Sequence, residues 1–135
     1  MSYEIGVSDD FKVWYEDTLS EAEQLSVERV VEMLAEAGPM LGFPYSSGIQ
    51  GSRYSHMREL RIQHEGRPYR VLYAFDPLRM ALLLVGGDKT GDGRWYEKAI
   101  PRADAIYSEH LKELGKVSGP RRNAKEMRWR THGSR

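Results

Sequence analysis

The 135-residue chain contains no cysteine. That excludes a disulfide framework and a thiolate metal site, and it fits a reduced, cytoplasmic setting. No stretch approaches the roughly 20 apolar residues of a membrane span, so no membrane association is expected. The opening MSYEIGVSDD lacks both the basic and the apolar region of a secretory leader. There is no HExxH and no paired-acid motif. His56, His64, Asp88, Asp92 and His110 fall at no recognised ligand spacing, so neither a metal nor a cofactor is expected. A Walker loop is also absent, because Lys89 precedes Gly91 instead of following it. A dinucleotide fingerprint fails because the elements around Gly86 and Gly87 do not read as βαβ.

Positive charge is scarce at the start and abundant later. Residues 1–52 carry ten acids against Lys12 and Arg29 alone. Residues 53–102 carry ten Lys or Arg against six acids, and residues 116–135 carry seven bases against Glu126. The formal net charge is zero, yet this distribution can still present a positive face to a polyanion. The length suits one domain, over residues 1–115. Apolar periodicity ends there, and residues 116–135 read as a basic, disordered tail.

Tyr3 to Val7 alternates and suggests a short strand. Ser8, followed by Asp9 and Asp10, is a helix N-cap with acids in its first turn, and Phe11, Trp14, Tyr15 and Leu19 follow at helical spacing. Ser20-Glu21-Ala22-Glu23 is a capping box. It opens a second helix with Val27, Val30, Val31 and Leu34 as its buried stripe, and Gly38-Pro39 ends it. Residues 40–56 read as a long connection carrying a turn of helix or a function of its own. Then come three strands. Arg58 to His64 places Leu60 and Ile62 on one face and Glu59, Arg61 and Gln63 on the other. Glu65-Gly66 turns the chain into a strand over Tyr69 to Phe75, and Asp76-Pro77 turns it again. Met80 to Val85 is almost wholly apolar, as in a central strand buried on both faces. Gly86 to Gly93 reads as an exposed loop. A last helix is expected from near Asp92, with Pro101 as a kink or restart and Gly115 as its C′ residue.

Cations recur at strand spacing through this meander. Neighbouring strands lie about 5 Å apart, so the sheet can gather Arg61, Arg70, Lys89 and Arg94 into one patch beside Trp95 and Tyr96. Guanidinium forks match phosphate oxygens, and aromatic rings stack on unpaired bases. Two readings are open on these residues alone. One is a phosphate-binding patch; the other is a solvated sheet edge with ion pairs such as Glu59 to Arg70.

The hairpin Leu60-Arg61-Ile62 with Tyr69-Arg70-Val71-Leu72-Tyr73, followed by Gly86-Gly87-Asp88-Lys89-Thr90-Gly91 and Tyr96, resembles the RelE/ParE superfamily of type II toxin–antitoxin toxins. The nearest likeness is to its HigB-like, phage-derived branch, over residues 3–114. The resemblance implies an α+β fold, β-α-α-β-β-β-α, with a mostly antiparallel four-stranded sheet. It implies a metal-independent endoribonuclease that cuts mRNA in the ribosomal A site by attack of the 2′-OH on the scissile phosphate. It also implies a cognate antitoxin, commonly a helix-turn-helix protein. Family catalytic positions fall on Arg61, Arg70, Lys89 and Tyr96, with Arg94 close by; Arg58, Arg94, Trp95 and His64 are the expected RNA contacts. His56, His64 and Asp88 are secondary candidates, because some HigB toxins use histidine and aspartate. Lys89 or Tyr96 as the proton-transfer group requires a lowered pKa. The alternatives are a ParE-like gyrase inhibitor and a degenerate toxin that acts only as a binding module.

Overall fold

Two serines set the first two helices. Ser8 accepts the Phe11 N–H at 3.0 Å and opens α1, Asp9–Val13. Ser20 and Glu23 close the capping box at 3.2 and 2.7 Å and open α2, Glu21–Ala37. Between them Trp14–Thr18 forms a π-helical turn, so Leu19 is already extended. The loosened turn is held from α2. Gln24 donates to the Tyr15 carbonyl at 2.8 Å, and the Tyr15 hydroxyl donates to Glu28 at 2.7 Å. Burial and that carboxylate raise the Tyr15 pKa.

The computed structural model describes residues 2–116 together with Arg128 and Trp129. The fold is α+β, as expected, but the sheet has five strands. They are β1 Ile5–Val7, β2 Ser46–Gly48, β3 Arg58–His64, β4 Arg67–Phe75 and β5 Ala81–Asp88, in the order β1-β5-β4-β3-β2. β1 runs parallel to β5 and the other pairs are antiparallel, so the sheet is mixed. The additional strand, β2, lies within the connection that reads as loop or helical turn, and it pairs with β3. β5 continues through Gly86 and Gly87 to Asp88, which removes both glycines from the expected loop. The helix α3 starts at Trp95 and runs through Pro101 and Gly115 to Lys116 without interruption.

The β3–β4 turn places Glu65 and Gly66 at φ 50° and 80°, as a primed two-residue hairpin requires. Asp76 organises the next turn by accepting the Leu78 and Met80 N–H groups at 2.9 and 3.0 Å. Its other oxygen meets His110 of α3 at 2.8 Å, which ties helix to turn.

The sheet has a core on each side. Leu60, Ile62, Tyr69, Val71, Tyr73, Ala81 and Leu83 pack against α1 and α2. Leu72, Ala74, Leu82 and Leu84 pack against Ala99, Ile100, Ala103 and Tyr107 of α3. β5 therefore feeds both cores, as its unbroken apolar run indicates. Each such buried aliphatic side chain contributes roughly 1.5–3 kcal/mol. The tail of residues 116–135 lies outside the described residues apart from Lys116 backbone, Arg128 and Trp129. Trp129 donates its backbone N–H to Ile5 at 2.8 Å and packs against Tyr15 with ring centroids 5.0 Å apart.

Glu23 also links α2 to the hairpin. It accepts from the Tyr69 hydroxyl, the Ser20 N–H and Arg67, and its carboxyl is lowered from an ordinary 4.5 to about 2, with the Tyr69 contact as the largest cause. The folded chain thus favours the ionised form, so this contribution is present above pH about 4.5 and is lost as the pH falls toward about 2. Thermal melts between pH 5 and 2 are expected to show falling stability, and Glu23→Gln a shallower fall. An unchanged slope in that variant would remove Glu23 from the acid response.

Candidate functional site

The antiparallel register sets Arg61 directly opposite Arg70, and Glu59 opposite Leu72. Like charges facing each other across a sheet repel. Glu59, two residues along on the same face, answers both. Its Oε2 lies 3.1 Å from Arg61 Nη1 and its Oε1 3.6 Å from Arg70 Nε. Ser47 of β2 donates to Oε2 at 2.8 Å, and the Tyr96 hydroxyl of α3 donates to Oε1 at 2.5 Å. Glu59 is 4% exposed and Arg70 5%. Three strands and a helix therefore converge on one buried carboxylate.

Arg70 is held but not saturated. Its Nη1 donates to the Tyr69 carbonyl at 3.0 Å, while its buried Nε has no hydrogen-bond partner among the described residues. A buried polar group left without a hydrogen bond costs free energy, and such groups concentrate where a ligand or chemistry uses them. Lys89 Nζ lies 5.6 Å from the centre of the Tyr96 ring. Arg61 and Arg70 thus share one carboxylate, with Lys89 beside the Tyr96 ring, which leaves positive charge in surplus for an anion.

Adjacent glycines make this arrangement possible. Gly87 sits opposite Arg70 on β5, and a Cβ there would overlap the Trp95 indole. Trp95 settles against the strand, and the next residue, Tyr96, reaches Glu59. Gly86 points to the other face and makes the same room for Trp14. Gly87→Ala should push the first turn of α3 away, at about 1–3 kcal/mol of overpacking. Urea unfolding set beside activity would test this. The expected result is that Gly87→Ala and Gly86→Ala lose similar stability, but Gly87→Ala loses far more activity. Equal activities in the two variants would contradict it.

The Tyr96 pKa is raised, first by burial and then by the hydrogen bond to Glu59, with Arg70 opposing. This reverses the expectation that its neighbours lower it. At neutral pH Tyr96 keeps its proton, so it can donate a hydrogen bond or a proton but is unfit to act as a base.

The structure brings Arg61, Arg70, Lys89, Trp95 and Tyr96 together. Arg94 stands at the rim, 80% exposed, and pairs with Glu97 at 3.0 Å. The remaining candidates lie elsewhere. Arg58 and His64 share the strand parity of Leu60 and Ile62. Arg58 donates to Ser46 at 3.0 Å, and His64 meets Ser26 of α2 at 2.7 Å. His56 bonds Tyr107 at 3.0 Å, and exposed Asp88 pairs with Arg67 at 3.4 Å. Among the described residues, no three His, Cys, Asp or Glu side chains gather in a way that could hold a metal ion. From the sequence alone, Glu59 reads only as a surface ion-pair partner. The signal for more was its parity with Arg61 in Arg58-Glu59-Leu60-Arg61. Ser47 was out of reach, because the strand that carries it does not alternate.

Residues 15–108 match the family described as phage derived protein Gp49-like. A Mycobacterium tuberculosis protein (strain ATCC 25618 / H37Rv) named as toxin HigB2 is 41% identical over 98 residues, covering 71% of this chain and 49% of its own length. A second from the same strain, named as toxin HigB3, is 43% identical over 91 residues, covering 63% of this chain and 78% of its own length. The chain thus spans about half the length of HigB2. No solved structure matches with significance. The matched span holds α2, the whole meander and most of α3, and with it every side chain that meets Glu59: the chain belongs to the phage-derived Gp49-like, RelE/HigB-like family.

Proposed function

We propose that the protein is the toxin of a type II toxin–antitoxin system and a metal-independent endoribonuclease that cuts mRNA in the ribosomal A site. The observation that carries this reading is the convergence of Arg61, Arg70 and Tyr96 on buried Glu59, with cations in surplus. The names of HigB2 and HigB3 support the toxin class.

The chemistry follows from the residue types. A ribose 2′-OH attacks the adjacent phosphorus and releases its proton to water, the P–O5′ bond breaks, the departing 5′ oxygen takes up a proton, and the products are a 2′,3′-cyclic phosphate and a 5′-OH. Negative charge grows on the phosphate oxygens. Arg61 and Arg70 supply fixed guanidinium donors for it. In this reading protonated Tyr96 donates to the departing 5′ oxygen, with Lys89 against its ring. Glu59 touches no substrate atom in this scheme; it fixes the directions of the two arginines and the phenol. Trp95 offers an apolar ring for a base near the phosphate.

The reading implies a cytoplasmic protein and a cognate antitoxin, of the helix-turn-helix kind, that masks it. Inducing the protein without an antitoxin is expected to arrest growth and fragment transcripts, and co-expressing the neighbouring small open reading frame to reverse both. Unimpaired growth with intact transcripts would overturn the reading. Arrest with DNA-damage signalling and intact transcripts would point instead to gyrase inhibition.

A further inference from the structure

On the far side of Arg61 and Arg70 from Tyr96 lies a second feature that the catalytic reading does not use. A cavity of about 360 Å³ opens beside β3, lined among others by Arg29, Tyr45, Arg61, Gln63 and Arg70. That volume is within the range of small-molecule sites, about 300–1,000 Å³. It exists because β2 is short. The β2–β3 ladder runs only from Arg58 to Leu60, with one further bond from the Arg61 N–H to the Tyr45 carbonyl at 2.8 Å. Beyond this, Ile62 to His64 have no strand partner on that edge among the described residues.

The segment before β2 presents aromatic surface beside the cavity. Phe43 is 75% exposed and Tyr45 41%. A single exposed ring carries no information by itself. Here, however, the Arg61 guanidinium lies over the Phe43 ring at 5.0 Å, so the ring stands beside the proposed phosphate site. Three arginines line the cavity, and Arg70 among them is nine-tenths buried, its Nε paired with Glu59 at 3.6 Å but making no hydrogen bond among the described residues. Charge of this sign and density favours an anionic ligand over a neutral apolar peptide, and the exposed ring beside it suits an unpaired base. The Gln63 amide offers a donor and an acceptor to the edge of an unpaired base. Tyr96, on α3, reaches Glu59 of β3, and β2 is the next strand beyond it, about 5 Å further. A single strand laid across the sheet would have its phosphate over Arg70 and Arg61 and its next base at Phe43.

We propose that Phe43, Tyr45 and the cavity lined by Arg29 and Gln63 form a base-binding subsite for the nucleotide next to the scissile phosphate. This subsite selects which RNA sequences are cut. The proposal rests on the endoribonuclease reading above and adds the determinant of sequence preference. Phe43 supplies the stacking face, the arginines hold the flanking phosphates, and Gln63 reads the base edge.

The test uses four fluorescein-labelled homo-oligoribonucleotides (A, C, G and U) in anisotropy titrations, together with mapping of cut sites in transcripts from expressing cells. Wild type, Phe43→Ala, Phe43→Trp and Gln63→Ala are compared. Wild type is expected to prefer one base. Phe43→Ala should bind that oligonucleotide about ten-fold or more weakly, the loss of one stacked base, while Phe43→Trp retains affinity. Gln63→Ala should flatten the preference among bases and broaden the cut sites. Phe43 is exposed, so a folding defect is not expected, and thermal melts check this. Unchanged affinities and an unchanged cut-site pattern in Phe43→Ala and Gln63→Ala, with wild type still cutting, would overturn this proposal alone. Retained RNA binding with lost antitoxin co-purification in Phe43→Ala would also overturn it, and would assign the surface to a protein partner. Wild type that neither binds nor cuts RNA would fell the endoribonuclease reading itself.

Discussion

Arg70→Ala should lower transcript cleavage by about 10²–10³, the usual effect of deleting one preorganised donor to a developing oxyanion. Arg70 is the best placed of the cations for such an effect. It is buried, its Nη1 is fixed on the Tyr69 carbonyl, and its Nε is left without a hydrogen bond. A donor that is already ordered needs no reorganisation as charge develops. Arg70→Lys keeps the charge but loses the planar fork, so it should recover only part of the rate. Cleavage rates in a purified translation mixture would resolve the series. A rate for Arg70→Ala within three-fold of wild type, with the fold intact, would remove Arg70 from the chemistry.

Glu59→Ala should have the largest effect on stability. It leaves the Arg70 guanidinium buried without its carboxylate, and it strips the acceptor from the Tyr96 and Ser47 hydroxyls. Breaking a buried pair by removing one partner costs about 3–5 kcal/mol, whereas replacing both by apolar side chains can be nearly neutral. Urea unfolding should therefore show a large loss for Glu59→Ala and a substantial recovery in Glu59→Ala with Arg70→Met. The two costs are coupled because the residues touch. Loss under about 1 kcal/mol in the single variant would show that Glu59 is a solvated surface acid, as in the plainer reading of the sequence. Both variants should be inactive, the first because Tyr96 and both arginines lose their common anchor.

These two residues also mark how far the sequence could be read. The helix starts at Ser8 and Ser20 were legible because capping is local chemistry, decided within four residues. β5 was legible because an unbroken apolar run leaves no solvent face. β2 was not: Ser46-Ser47-Gly48 has no alternation, and its strand character comes from β3, with Ser46 bonded to Tyr73 at 2.7 Å. The spacing of Phe11, Trp14, Tyr15 and Leu19 read as one helix, but Trp14–Thr18 winds as a π turn, and the long-range Gln24 contact that holds it is invisible locally.

Arg61, Arg70 and Tyr96 were legible through family resemblance and strand spacing together. Arg58 and His64 are also basic and lie on the same strand, but strand parity places them with Leu60 and Ile62 on the opposite face. Glu59 has the right parity but the opposite charge to the cations that mark this patch in the sequence. Gly86 and Gly87 looked like loop residues because glycine is rare within strands. Here each is small so that a tryptophan can lie against the sheet, one on either face.

The central claim is that the Glu59-anchored cluster cuts RNA by attack of the 2′-OH. It is tested most directly by sequencing transcript ends from cells that express the wild type or Arg70→Ala. Discrete internal cuts with 5′-hydroxyl and 2′,3′-cyclic phosphate ends are expected in the first and not in the second. Intact transcripts in growth-arrested wild-type cells, or cuts that leave 5′-phosphates, would contradict it.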